Sequence, residues 1–296
     1  MGCLDCPRKC NKERREGDTS SYGYCQVSVR PKVARAALHF WEEPCISGEE
    51  GSGTVFFSGC NLRCVYCQNV EIAAGVRGKE ISVERLAEIF LELQEKGANN
   101  INLVTPSHYY MQIKEALLLV KEKLHIPVIA NTSSYESVEV LRDMEGLIDI
   151  YLADYKYASR ELAAKYSHAA DYPQVAAEAL KEMFRQTGEP EFDDRGIMRK
   201  GIIVRHLLIP GCKEDSKAVL KFLYETFGDS VFISIMNQYT PLSHVGKYPE
   251  LNRRVTEEEY EEIVDYAIEL GIENGFVQEG ETAEESFIPA FDGEGV

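Results

Sequence analysis

Apolar and polar residues alternate through the middle of the chain in blocks that predict strands followed by helices. Short apolar runs predict strands at residues 54–57, 101–104, 126–130, 148–153, 202–208 and 231–236. Between the runs, apolar residues recur at helical spacing; one example is Leu86, Ile89, Phe90 and Leu93, which follow a capping Ser82. Six strands alternating with helices predict an α/β fold with a parallel sheet and right-handed crossovers.

Two less regular regions flank this alternation and set the predicted domain boundaries. We assign residues 1–50 to an N-terminal cysteine-rich segment, 51–240 to the barrel and 241–296 to a C-terminal helix and tail. Residues 159–187 are predicted to be helical, and a capping box at Thr256 and Glu259 predicts the start of the last helix. The acidic tail, residues 279–296, contains one apolar patch at 287–291, which fits either a strap over the barrel or a docked terminus.

Length and charge restrict the classes of partner. The 296 residues can bury a large core. No apolar run approaches the roughly 20 residues that cross a bilayer, and no leader pattern precedes Cys3, so we expect a cytoplasmic protein with no membrane partner. A net charge of −17 argues against nucleic acid as the main partner, because binding phosphates requires a basic face.

Nine cysteines without a secretion signal indicate metal binding or redox chemistry rather than a disulfide framework. Four of them, Cys3, Cys6, Cys10 and Cys25, lie in a polar segment that cannot form an apolar core. Their spacing suits a closed four-thiolate site that would help to fold the segment. Zinc and a second iron-sulfur cluster both fit this spacing.

Three further cysteines, Cys60, Cys64 and Cys67, have C-x3-C-x2-C spacing in the loop after the first predicted strand. Three thiolates can bind three irons of a [4Fe-4S] cluster, which leaves the fourth iron open to an exogenous ligand. The alternatives are a zinc site or a plain electron-transfer cluster. Both normally need a fourth protein ligand nearby, and the loop contains no histidine.

The loop sequence Gly-Cys-Asn-Leu-Arg-Cys-Val-Tyr-Cys-Gln-Asn, with Tyr66 before the last cysteine, resembles the radical S-adenosylmethionine (SAM) enzymes. It is most similar to the pyruvate formate-lyase-activating enzymes and their relatives. The resemblance implies a partial (β/α)6 TIM-type barrel, a [4Fe-4S] cluster, and SAM bound to the open iron through its amino and carboxylate groups.

Residues just past the strand ends are candidates for contacts with SAM, because parallel α/β barrels place their sites there. Thr105 and Ser107 follow the second strand, where the family has Gly-Gly-Glu, so they are candidate replacements. The resemblance also implies cofactor-binding roles for strand-end residues and two loop residues. These are Tyr66, Asn69, Asn131, Thr132, Asp154, Lys156 and Arg205.

Four other residues are given structural interpretations. His108 is expected to be a structural histidine, Cys45 a lone buried thiol and Cys212 an ordinary loop cysteine. The single tryptophan, Trp41, is expected to be a packing anchor.

The resemblance implies an oxidoreductase in which the reduced cluster cleaves SAM to a 5'-deoxyadenosyl radical that abstracts hydrogen from a substrate. One hypothesis is activation of a glycyl radical enzyme. A second is a maturase of a peptide or small metabolite that uses an auxiliary N-terminal cluster, and a third is a non-enzymatic iron-sulfur electron carrier. Either enzyme would need a low-potential donor of the flavodoxin or ferredoxin type. The sequence leaves the substrate and the oligomeric state open.

Overall fold

The computed structural model describes residues 3–278 and 289–296. The strands are β1 (Lys32–His39), β2 (Ser52–Phe57), β3 (Lys79–Glu80), β4 (Ile101–Val104), β5 (Val128–Thr132), β6 (Ile150–Asp154), β7 (Glu191–Phe192), β8 (Met198–Leu207), β9 (Phe232–Met236) and β10 (Gly275–Val277). The helices are α1 (Pro44–Ser47), α2 (Val70–Ala73), α3 (Val83–Glu95), α4 (Tyr110–Val120), α5 (Val138–Asp143), α6 (Arg160–Ser167), α7 (Tyr172–Thr187), α8 (Lys213–Phe227) and α9 (Glu257–Leu270).

The predicted parallel sheet is confirmed. Strands β2, β4, β5, β6, β8 and β9 are parallel neighbours in that order, and β10 adds a seventh parallel strand beside β9. At the other edge, β1 is antiparallel to β2. Within the described residues the sheet does not close, since β3 and β10 stand at its two ends. The fold is therefore a partial barrel.

The sheet extends beyond both boundaries expected from the sequence. Strand β1 precedes residue 50, and β10 follows residue 240. The described part of the C-terminal tail lies along β1: the Gly293 amide donates to the Ala34 carbonyl, and the Ala36 amide donates to the Glu294 carbonyl. The described tail is thus docked on the barrel edge. Phe287 and Ile288 of the predicted apolar patch lie outside the described residues.

The predicted helical region at 159–187 is two helices, because α6 ends at Ser167 and α7 begins at Tyr172. His168 caps α6 in the left-handed conformation, with φ 54°. The capping box at Thr256 and Glu259 is confirmed at the start of α9.

A short helix before β2 packs against the strands of the barrel. Helix α1 buries Cys45 and Ile46 against Ile129 of β5, Ile150 of β6 and Ile203 of β8. The buried Asn100 side chain fixes this helix by donating to the Ile46 carbonyl at 2.8 Å. The chain before β2 is therefore part of the barrel core, and Cys45 is the buried thiol that the sequence predicts.

Asn100→Ala should lower the free energy of unfolding by about 2 kcal/mol, because two buried polar groups lose their partner. These groups are the Ile46 carbonyl and the Ser52 hydroxyl, which donates to Asn100 Oδ1 at 2.6 Å. Denaturant unfolding of Asn100→Ala, Ser52→Ala and the double variant checks this prediction. The double variant should be less destabilised than the sum of the single variants. Strict additivity would contradict the proposed pairing.

Candidate metal centre

A cavity of about 420 Å³ lies where the parallel strands end. Its wall includes residues at or just past the C-terminal ends of several strands. These are Val104 of β4, Asn131 of β5, Asp154 of β6, Arg205 and Leu207 of β8, and Met236 of β9. This is the end of an α/β barrel at which binding sites form.

Two of the three loop cysteines, Cys64 and Cys67, are part of the cavity wall. Cys60 packs against the apolar core, and its sulfur accepts the backbone N–H groups of Leu62 and Arg63, each at 3.4 Å. Arg63 has a φ of 56°, which turns the chain back toward this sulfur. The loop therefore places the thiols of Cys64 and Cys67 in the cavity wall. It also supplies backbone N–H donors to Cys60, which lies outside that wall.

The three loop thiols lie within electrostatic reach of one another. Burial, together with the neighbouring Cys60 and Cys64 thiols, raises the pKa of Cys67 to about 12. Burial also raises the pKa values of Cys60 and Cys64, and Lys156 opposes part of that rise. Among residues 3–278 and 289–296, no three His, Cys, Asp or Glu side chains already converge on one metal position. Soft donors beside a cavity with charged and amide side chains in its wall fit a thiolate-bound iron-sulfur cluster, and binding would displace the thiol protons.

The four N-terminal cysteines lie within electrostatic reach of one another, without three of their sulfurs already converging on one metal position. Cys6 and Cys25 are buried, and burial, with a contribution from the Cys3 and Cys25 thiols, raises the pKa of Cys6 to about 12. The Cys10 sulfur accepts the Tyr24 amide at 3.4 Å, and burial raises the pKa of Cys25, with a smaller contribution from the Cys10 thiol. Buried Arg14 lies with one guanidinium nitrogen 4.0 Å from the Cys25 sulfur. Four soft donors beside a buried cation can hold a metal centre of negative net charge.

The N-terminal segment packs directly on the central cysteine loop. The Arg8 guanidinium donates to the backbone carbonyls of Asn61 at 2.7 Å, His168 at 2.6 Å and Ser167 at 3.1 Å. The Tyr24 hydroxyl donates to the Leu62 carbonyl at 3.1 Å. No sequence pattern predicts this packing, because its acceptors are main-chain carbonyls far away along the chain.

Asp154 and Lys156 form an ion pair of 2.5 Å in the cavity wall. Burial disfavours the Lys156 ammonium, but Asp154 and the thiols of Cys64 and Cys67 outweigh that effect and raise the pKa of Lys156. The cavity therefore keeps a cation beside the cysteine loop.

Arg205 lines the cavity, and its guanidinium is held by two glutamates. Its Nε donates to Glu43 Oε1 at 2.8 Å, and a second nitrogen contacts both Glu42 and Glu43. The other Glu42 oxygen accepts the amides of Asn102 at 2.9 Å and Asn131 at 3.4 Å. Sequence reasoning identified Arg205 but missed Glu42 and Glu43, which precede the proline that begins α1.

Three predicted SAM contacts, Thr105, Ser107 and Thr132, lie outside the cavity wall. Ser107 and Thr132 both donate to buried Glu136, and burial raises the pKa of Glu136 to about 7 despite these two donors. Binding roles for the three residues stay predictions that the geometry does not support. Tyr66, Asn69, Asn131, Asp154, Lys156 and Arg205 do line the cavity.

His108 fits its structural interpretation, since it is buried and one ring nitrogen bonds the Ser58 carbonyl at 2.8 Å. Burial lowers the pKa of His108 to about 3, so its ring is neutral. The packing prediction for Trp41 is wrong: its side chain is 65% exposed and borders the cavity, because β1 has already ended before it. Gln238, which follows the sixth predicted strand, also lines the cavity, whereas His39, Gln68, Gln278 and Pro289 of the wall had no sequence signal.

Arg205→Met should lower the free energy of unfolding by about 3 to 5 kcal/mol, because it leaves buried carboxylates without their cation. Burial alone would raise the pKa of Glu43, but Arg205 outweighs burial and holds it below the usual value. Without Arg205 the pKa of Glu43 would rise, so the carboxylate would ionise at a cost. The loss in the free energy of unfolding should therefore be larger at about pH 8 than at about pH 5. Denaturant unfolding at both pH values checks this.

The matched control is Arg205→Met in a Glu42→Gln, Glu43→Gln background. There the loss should be smaller and nearly independent of pH, since no carboxylate is left unpaired. A pH-independent loss in the single variant would contradict the assigned role of Arg205.

In the part of the chain that the structure describes, no helix is both long enough and apolar enough to cross a membrane.

Comparison with known proteins finds a family model that matches more than half of the chain. The model of the radical SAM superfamily matches residues 54–223. An uncharacterised protein of Methanocaldococcus jannaschii is 27% identical over 278 residues, which cover 90% of this chain and 74% of the relative. A second uncharacterised protein of that organism is 23% identical over 176 residues, half of each chain.

Two solved structures show the same fold. Methylornithine synthase has a TM-score of 0.53 at 15% identity, over 82% of this chain and 65% of that one. SuiB of Streptococcus suis, bound to S-adenosylmethionine, has a TM-score of 0.50 at 15% identity, over 75% of this chain and 49% of SuiB. The chain thus covers less than two thirds of either structure, and identities this low carry the fold alone.

Proposed function

The chain belongs to the radical SAM superfamily, and we propose that Cys60, Cys64 and Cys67 bind the [4Fe-4S] cluster on which that family depends. When bound, the cluster and S-adenosylmethionine supply a 5'-deoxyadenosyl radical that abstracts hydrogen. One observation carries the proposal: Cys64 and Cys67 share a cavity wall with polar residues from several strand ends. An open iron requires a pocket of this kind beside the thiols.

The chain's own residues would bind and orient S-adenosylmethionine in this cavity. Lys156 and Arg205 place positive charge in the wall, where a carboxylate can bind, and Asp154 and Asn131 offer acceptors for an amino group. Val104, Leu207 and Met236 supply apolar contacts and help to exclude water. Tyr66 and Asn69 extend the wall next to the cysteine loop.

For the substrate, we propose a polypeptide or small metabolite that reaches the cavity from its rim. Activation of a glycyl radical enzyme is one form of this proposal, supported by the loop resemblance and by the partial barrel. Trp41 and Pro289 border the same cavity, and Trp41 is exposed, so the rim includes a large side chain that a substrate can contact. A low-potential donor of the flavodoxin or ferredoxin type remains the proposed electron source.

A maturase with an auxiliary cluster is the second candidate, and the packing of the N-terminal thiols on the cysteine loop favours it. SuiB, which shares the fold, has also been crystallised with a precursor peptide. We propose that Cys3, Cys6, Cys10 and Cys25 bind a metal, either zinc or an iron-sulfur cluster. A plain electron carrier would not need the polar cavity beside the thiols.

Replacing Cys60, Cys64 and Cys67 together by alanine should remove about four irons per chain. It should also abolish conversion of S-adenosylmethionine to 5'-deoxyadenosine under dithionite, because no iron would remain in the cavity to bind the amino and carboxylate groups of the ligand. Anaerobic reconstitution, iron analysis and chromatography of the products check this. Cys212→Ala is the control, since Cys212 lies outside the cavity wall, and it should keep both properties. Cleavage that survives the triple replacement would contradict the proposal.

The same triple variant shows what the N-terminal thiols bind. About four residual irons would support an auxiliary cluster and the maturase, whereas about one zinc would support a structural site. In either case, further replacement of Cys6 and Cys25 by alanine should release the metal, as elemental analysis would show. A triple variant that retains neither metal would contradict an N-terminal site.

A further inference from the structure

A buried row of hydroxyl groups ends at one of the loop cysteines. The Ser167 hydroxyl lies 2.9 Å from the Cys64 sulfur, and the Tyr157 hydroxyl lies 2.8 Å from the Ser167 oxygen. The Tyr66 hydroxyl lies 2.7 Å from that of Tyr157. All three residues are buried, so water does not compete for these bonds. The row joins Cys64 to Tyr66, two positions along the same loop.

The state of Cys64 determines the direction of every bond in the row. Each hydroxyl has one proton to donate. A sulfur that ligates iron is a thiolate without a proton, so Ser167 must donate to Cys64. The Ser167 oxygen then accepts from Tyr157, which has no second proton for Tyr66. Tyr66 must therefore donate to Tyr157, the reverse of the Tyr157-to-Tyr66 bond that the thiol form of Cys64 allows.

The surrounding structure holds the terminal donor in place. Ser167 is the last residue of α6, and its backbone carbonyl accepts a hydrogen bond from Arg8 of the N-terminal segment at 3.1 Å. The Tyr157 ring packs edge-on against Tyr172 at 5.6 Å between centroids. The hydroxyls therefore have little freedom to turn away from the sulfur.

We infer that Ser167 tunes the reduction potential of the proposed cluster by donating a hydrogen bond to Cys64, and that Tyr157 and Tyr66 orient this donor. The inference rests on the proposed function, because it requires Cys64 to ligate iron. A hydrogen bond to a ligating sulfur stabilises the more negative, reduced state of a cluster. Ser167 thereby makes the cluster easier for an external donor to reduce. Ser167 and Tyr157 act as positioning residues and need not touch the substrate.

The test is a dye-mediated redox titration of reconstituted protein, followed by electron paramagnetic resonance of the reduced cluster. It is performed in a Cys6→Ala, Cys25→Ala background, so that an N-terminal cluster does not contribute. Ser167→Ala should shift the midpoint potential to a more negative value, and Ser167→Thr, which keeps the hydroxyl, should restore most of the original value. An unchanged midpoint in Ser167→Ala with full iron content would overturn the inference.

Ser159→Ala is the matched control, since it changes a serine of the same helix. Ser159 caps α6 by accepting the Leu162 amide at 3.2 Å, so its loss weakens the helix without removing a donor to sulfur. Its midpoint should equal that of the parent. A shift as large as that of Ser167→Ala would mean that helix stability alone moves the potential, which would overturn the inference.

Tyr157→Phe tests the effect of the Ser167 hydrogen bond on the midpoint potential if Ser167→Ala fails to assemble a cluster. It removes the group that orients Ser167 and leaves the serine in place, so we expect a smaller shift in the same direction. No shift would overturn the inference. A protein with all nine cysteines intact that assembles no reducible cluster would instead refute the proposed function, and the two failures are therefore distinguishable.

Discussion

The cysteine loop is held between two parts of the chain, and the site depends on this constraint. Strand β2 leads into the loop from the barrel, and Arg8 and Tyr24 bind its backbone carbonyls from the N-terminal segment. A loop fixed on both sides cannot move its thiols far from the cavity, which reduces the entropy lost when metal binds. The N-terminal thiols and the loop are therefore parts of one structure. Metal bound by the first group would stabilise the support of the second.

Charge compensation keeps the cavity polar without leaving ions unpaired in a buried wall. Lys156 pairs with Asp154, and Arg205 pairs with Glu42 and Glu43. Buried ions are costly unless they are paired, and these pairs place both signs of charge beside the thiols. A zwitterionic ligand can then exchange one ionic partner for another. Glu42 and Glu43 directly precede α1. One short segment therefore supplies both the carboxylates that pair with Arg205 and the helix that packs against the strands.

The sequence predicted those features of the molecule that depend on local pattern. Six parallel strands follow from apolar runs, and the cysteine spacing locates the loop at the end of the first one. Arg205 was identified, but its glutamate partners were not, because they lie about 160 positions away and have no spacing signal. The docking of Arg8 and the contact of Ser167 with Cys64 also join residues that lie far apart in the sequence. Ser107 and Thr132 were selected by position after a strand, whereas their side chains turn to buried Glu136 instead.

In the proposed site, one iron of the cluster is left free by the protein and binds S-adenosylmethionine. The most direct measurement is electron-nuclear double resonance on the reduced protein with S-adenosylmethionine that carries an isotopic label in its carboxylate. We expect a hyperfine coupling between the label and the cluster, which is lost when unlabelled ligand is substituted. A reduced cluster that shows no coupling to the label with the ligand in excess would mean that no iron is open to S-adenosylmethionine.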